Sequence, residues 1–165
     1  MYCTPFRVRS KCHKRMIQQN MHLLWSTCIG SLLGSIGSTL LAEHFLNHRI
    51  AIVGSFIGLQ PSTNKGVAFG LELGLAEPLL IAIAAVTVTV MATKTARTSL
   101  SRLGFGLILG GGAANILDRI QDGQVTDIFQ IGSFPIFNVA DSCITIGVGL
   151  LLIEMLYTQR RDKRF

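Results

Sequence analysis

The chain has 165 residues, of which 49% are hydrophobic and only 15% charged, with a formal net charge of +6. That length suits one domain, and a soluble one carries about 25% charged residues. The balance excludes a disordered chain and sets aside an ordinary soluble enzyme, leaving an integral membrane protein.

A net positive charge also suits nucleic acid, but here the basic residues form clusters separated by apolar runs. That is the footprint of membrane topology, so no nucleic-acid partner is expected. Five basic residues (Arg7, Arg9, Lys11, Lys14, Arg15) open the chain, and residues 1–20 read as a disordered basic cytoplasmic tail. Met16 to Ala42 holds no Lys, Arg, Asp or Glu. That run exceeds the 7–15 residues of a signal-peptide core, so it reads as an uncleaved first span. Gly30, Gly34 and Gly37 lie in it, spaced for close helix approach.

Next comes a polar-flanked stretch, about 45–73, with alternating apolar character at Ile50–Val53 and Ser55–Ile57. Pro61 breaks it, and Asn64-Lys65-Gly66 reads as a turn. A small β element resting on the outer membrane surface is expected there. The second apolar run is Pro78–Thr93, followed by Lys94, Arg97 and Arg102. The third is Leu103–Leu117, with Gly106 and the Gly110-Gly111-Gly112 triplet. The fourth begins at Ser142 and extends to Tyr157. A second basic tail, 158–165, ends the chain. Spanning takes about 20 residues, so the last three runs reach that length only with their polar flanks at the membrane surface. Residues 21–157 thus read as one domain, a four-transmembrane-helix bundle with an extracytoplasmic β cradle. An even number of spans places 12 of the 15 basic residues on one side. By the positive-inside rule that side is cytoplasmic and holds both termini.

The four cysteines show no CxxC spacing and complete no zinc pattern with the histidines, so neither a disulfide framework nor a metal is expected. Ionisable groups at the membrane edge are the candidates for chemistry. Asn115, Asp118 and Arg119 are spaced i, i+3 and i+4 and share a helix face. The plain reading of Asp118 and Arg119 is an interfacial pair at a helix end. Asn115 sits deeper and needs hydrogen-bond partners. Asp127 interrupts an apolar stretch, and Asp141 opens the fourth run with Asn138 three residues before it as an N-cap. Each aspartate alone suits a structural role. Together they lie at one end of the bundle, joined by a thirteen-residue connection. Two close carboxylates share a proton, so one acts as acid and the other as base. Such a pair activates water against an amide without metal or covalent intermediate. No GxSxG or HExxH is present, which removes two rival hydrolytic motifs.

Three blocks now resemble one family, the lipoprotein signal peptidases or signal peptidase II. They are Asn64-Lys65-Gly66-Val67-Ala68-Phe69-Gly70, then Gly111-Gly112-Ala113-Ala114-Asn115-Ile116-Leu117-Asp118-Arg119 with Val125-Thr126-Asp127, and Phe137-Asn138-Val139-Ala140-Asp141-Ser142. The resemblance implies a four-helix membrane aspartyl peptidase of the bacterial inner membrane, without cofactor and working as a monomer. Its substrate would be a diacylglyceryl-modified prolipoprotein, cleaved before the lipidated cysteine from the outer leaflet, with membrane lipid as its surroundings. It implies Asp127 and Asp141 as the catalytic pair, with Asn64, Asn115, Arg119 and Asn138 as the supporting polar shell. The chain departs from the family in its first span, where Ser31 to Leu41 holds neither the usual Asp nor the Lys four residues on. Two alternatives stay open on the residues: a catalytically lapsed homologue that binds lipoproteins, and a small proton or cation transporter subunit.

Overall fold

The structure, a computed structural model, describes the backbone of residues 6–64, 66, 76–96 and 98–162, and the side chains of 21–64, 66, 79–96 and 98–160. In chain order it runs α1 (Phe6–Phe45), β1 (Ile50–Val53), β2 (Ile57–Asn64), α2 (Ala76–Thr95), α3 (Ser99–Asp122), β3 (Val125–Ile131) and α4 (Val139–Asp162).

The N-terminal segment departs from expectation. Residues 6–20 are helical and continuous with α1. No Gly or Pro interrupts the chain from Phe6 to Ile29, and Arg, Lys, Gln and Met are strong helix formers, so the helix has no reason to end at the basic cluster. Among the described residues, three helical segments are long and apolar enough to cross a membrane: Met21–Phe45, Ser99–Asp122 and Val139–Arg160. The expected fourth span coincides with α2, whose stretch Leu79–Thr95 is apolar but shorter.

The helices are inside out relative to a soluble bundle. Trp25, Leu33, Leu41, Leu79, Val86, Ile146 and Leu152 are all exposed, as a lipid-facing surface requires. Helix α3 is the central one, packed along α1 and α4 and also touching α2. Towards one end, Leu24, Ala92 and Phe105 form a buried cluster with Val88, Leu109 and Leu151 around it. All four helices meet there.

Close approach depends on the small residues of α3 and α4, whereas a Cβ on Gly30, Gly34 or Gly37 of α1 would meet nothing within 4 Å, contrary to expectation. A Cβ on Gly110 would collide with the Cys28 carbonyl and Ser31 Oγ of α1, and one on Gly106 would meet the Leu24 carbonyl at 2.8 Å. On the other side of α3, a Cβ on Gly147 would lie 2.6 Å from the Gly104 carbonyl, whereas one on Gly149 meets nothing within 4 Å. Gly147→Ala should therefore force the α3–α4 crossing apart and lower thermal stability in detergent by about 1–3 kcal/mol. Gly149→Ala should be neutral or slightly stabilising, because Ala is the better helix former. Parallel melts of the two variants check this.

At the opposite end lies an antiparallel sheet of order β1-β2-β3. Two of its strands come from the predicted cradle. The third, β3, comes from the second connection and was not expected as a strand. Pro61 does not break β2. It falls where the β2–β3 register shifts between Leu59 and Ser62, and a bulge tolerates a residue without N–H. The sheet is seated on α1 through Ala42, Leu46 and Ile128, with Leu59 and Phe129 against them. Arg49 fastens the hairpin tip to β3. Its guanidinium donates to Gln130 Oε1 at 2.9 Å and to the Ser55 carbonyl at 3.0 Å.

Candidate active site

Two local devices aim the candidate residues. The first is the end of α3. Gly123 adopts φ 80°, and its N–H donates to the Arg119 carbonyl, a left-handed cap that glycine accepts without strain. The chain turns there and enters β3, so Asp127 lies five residues beyond the last turn of α3.

The second is the return from β3 to α4. The chain reverses at Ile131–Phe134, with Gly132 at φ 52° and the Phe134 N–H donating to the Ile131 carbonyl at 2.9 Å. Phe137 then pairs back with Phe129 through N–H···O bonds in both directions, 2.7 and 3.2 Å. That pairing sets Asn138, the next residue, beside Asp127. Helix α4 starts immediately afterwards with a reciprocal cap. Asn138 Oδ1 accepts the Asp141 N–H at 2.9 Å, and Asp141 Oδ2 accepts the Asn138 N–H at 3.3 Å. The expected N-cap role of Asn138 is therefore met in the capping-box arrangement.

These two devices close a polar ring. Asn138 Nδ2 donates to Asp127 Oδ1 and to Asn115 Oδ1, each at 3.1 Å. Asn115 Nδ2 donates to Asp141 Oδ1 at 2.8 Å. The two carboxylates, one from β3 and one from α4, are thus bridged by two carboxamides. Asn138 and Asp127 are buried, at 2% and 3% exposure. Burial pushes Asp127 up to about 7, and the nearby charges of Asp141 and Asp118 act in the same direction. The Asn138 hydrogen bond and the Arg119 guanidinium pull it back. The outcome is a carboxyl that holds its proton near neutrality, which is the demand on a general acid.

Four of the six expected site residues therefore form one bonded group: Asp127, Asp141, Asn115 and Asn138. Arg119 and Asn64 meet one step away, at Gly66. The Arg119 guanidinium donates to the Gly66 carbonyl, and Asn64 Oδ1 accepts the Gly66 N–H at 2.8 Å. Lys65 and the rest of that block, 67–75, lie outside the described residues. One further residue joins the site. Asp118 reaches well beyond the helix end, its Oδ2 accepting the Thr126 N–H at 2.7 Å. The i, i+3, i+4 spacing held the signal, but a backbone partner leaves no mark in sequence. A cavity of about 320 Å3 opens beside the ring, walled by Ser35, Ile36 and Thr39 of α1 and by Asn115 and Asp118 of α3.

The sequence pattern of the family described as Signal peptidase (SPase) II matches residues 13–157. The chain belongs to the signal peptidase II family. Among relatives of this family, the lipoprotein signal peptidase of Shouchella clausii (strain KSM-K16) is 36% identical over 123 residues, covering 72% of this chain and 82% of that protein. The lipoprotein signal peptidase of Brucella ovis is 32% identical over 155 residues, covering 86% and 96%. A bacterial membrane enzyme solved by the in meso method at 2.3 Å superposes with TM-score 0.73 at 22% identity, over 87% of this chain and 90% of that one. A second, at 1.9 Å, gives 0.67 at 23% identity. This signal peptidase II homologue shares its fold with the two solved enzymes.

Proposed function

We propose that this chain is a membrane aspartyl endopeptidase that removes the signal peptide from diacylglyceryl-modified prolipoproteins, cutting before the lipidated cysteine. Membership of the signal peptidase II family supplies the reaction class. The ring Asp127–Asn138–Asn115–Asp141, with its one carboxyl poised near neutrality, is the observation that carries the reading. Asp127 holds the proton and polarises the scissile carbonyl. Asp141 takes a proton from water, which attacks the carbonyl carbon. The tetrahedral intermediate collapses as Asp127 gives its proton to the leaving nitrogen. Asn115 and Asn138 keep the two carboxyls in register throughout, and Arg119, tied to Gly66, steadies the end of β2 over the site.

Membership also favours the multi-pass arrangement. We take α2 as the fourth span, since its 20 residues rise about 30 Å, the thickness of the hydrocarbon core. Both basic ends then face the cytoplasm and the ring faces the outer leaflet, where a lipid-bearing substrate resides. The protein acts as a monomer surrounded by membrane lipid, with tails 1–20 and 158–165 outside the catalytic domain 21–157. A transporter would need its acids strung along a path through the bundle, whereas both lie at the sheet end.

The test is incubation of the purified protein with a diacylglyceryl-modified prolipoprotein and with its unlipidated form. Cleavage of the first and not the second is expected; equal cleavage of both, or of neither, refutes the reading. The pH profile adds a check. The acid must be protonated, so kcat/KM should fall as pH rises above about 7, tenfold for each further unit. A rate that climbs through that range would assign the proton elsewhere.

A further inference from the structure

The aspartate that sits three residues beyond Asn115 touches no reacting atom in the chemistry just described, yet its carboxylate bonds to the strand that carries Asp127. We propose that Asp118 is a positioning residue, which fixes the register of β3 so that Asp127 meets Asn138.

The need for such a device follows from the sheet. Along a strand, neighbouring side chains point to opposite faces, so a slip of one residue would turn Asp127 away from α4. The β2–β3 ladder is a weak guard against that slip. It is already irregular between Leu59 and Ser62, and Pro61 in that interval has no N–H to contribute. Beyond the irregularity only Ser62, Thr63 and Asn64 pair with β3. The bond from the Thr126 N–H to Asp118 Oδ2, 2.7 Å, pins the residue next to Asp127 from outside the sheet. A bond to a charged acceptor is of the stronger kind. Asp118 and Asn115 also share one face of α3. The same helical turn therefore locates Asp141 through Asn115 and Asp127 through Thr126. A second contact serves the same residue, since Thr126 Oγ1 donates to Glu43 Oε1 of α1 at 3.3 Å.

Asp118 also bears on the proton. Among the described residues, the charged groups acting on Asp127 are Asp141 from α4 and Asp118 and Arg119 from α3. Replacing Asp118 by a neutral residue removes one of the two charges that raise it.

This inference rests on the peptidase reading, so the experiment has an arm that does not depend on turnover. Asp118→Ala and Asp118→Asn are compared with wild type for kcat, KM, pH profile and hydrogen exchange at the Thr126 amide in detergent. Asp122→Asn is the control, because among the described residues its exposed carboxylate accepts only a local bond from Gln124 N–H. Asp118→Ala should lower kcat about 10²-fold, with KM within about threefold, and should speed exchange at Thr126. Asp118→Asn retains an acceptor oxygen, so most of kcat should return and Thr126 should stay protected, while the upper pH limb moves to lower pH. Wild-type kcat in Asp118→Ala, or an Asn variant as impaired as the Ala variant, overturns the proposal. If Asp118→Ala fails to fold, Asp118→Asn decides alone: fast Thr126 exchange with wild-type kcat overturns it. A wild-type enzyme that does not cleave refutes the peptidase reading, and Thr126 exchange still tests the pin.

Discussion

Asp127→Asn and Asp141→Asn are each expected to lower the cleavage rate by about three to four orders of magnitude. The double variant should fall no further than the worse single one. The two carboxyls act as one acid–base unit, so losing either disables the step and the second loss removes nothing more. Single-turnover assays on the three variants check this, with membrane insertion as control. The two substitutions should part company in stability. Asp127 rises from 3.8 to about 7, so its ionisation opposes the fold. Its stabilising contribution is complete below about pH 4 and is lost as pH climbs through 7. Asn carries no charge to desolvate, and its Oδ1 can still accept from Asn138. Asp127→Asn should therefore melt higher than wild type at pH 8, by on the order of a few kcal/mol, and match it at pH 4. An inactive variant more stable than its parent is the signature of a site that trades stability for chemistry.

Asn138→Ala should be the most damaging change outside the carboxyl pair. The side chain serves three partners, donating to Asp127 and Asn115 and accepting from the Asp141 N–H. It is 2% exposed, so water cannot readily replace it. Loss of the cap costs about 1 kcal/mol, and the abandoned Asp127 and Asn115 oxygens about 1–3 kcal/mol more. Cleavage should fall about 10²-fold, because Asp127 loses the group that aims it. Asn138→Asp separates the two roles. It preserves the cap, worth about 1 kcal/mol, but has no N–H to offer Asp127 or Asn115 and adds a like charge beside Asp127. Activity should stay low in that variant at neutral pH. Thermal melts with rate measurements on both variants distinguish loss of the cap from loss of the ring.

Much of this site was legible because the chain is poor in charge. With nine acids in 165 residues, Asp127 and Asp141 stood out against apolar surroundings, and the basic clusters ordered the helices. Strand β3 was hidden for a physical reason. Its residues Val125, Asp127 and Ile128 are all buried, so the two-residue alternation that marks a half-exposed strand is missing. Pro61 was read by its usual effect, while its actual site is a register shift where that effect is harmless. The helical course of residues 6–20 was obscured because a cluster of like charges reads as a tail, although its residues favour helix. The positioning bond of Asp118 leaves no trace in charge patterning, which finds side-chain partners, because its partner is the main-chain amide of Thr126.

The short ladder between Phe129 and Phe137 has a consequence for how this sequence can drift. The ladder lies between the acid pair and the reversal at Ile131–Phe134, so it isolates one from the other. Residues added or removed at the tip change only how far the hairpin projects. A single residue added between Asp127 and Phe129, or between Phe137 and Asp141, rotates one carboxyl out of the ring. Tolerance of length change should therefore be sharply uneven across these thirteen residues, free at the apex and absent at both feet.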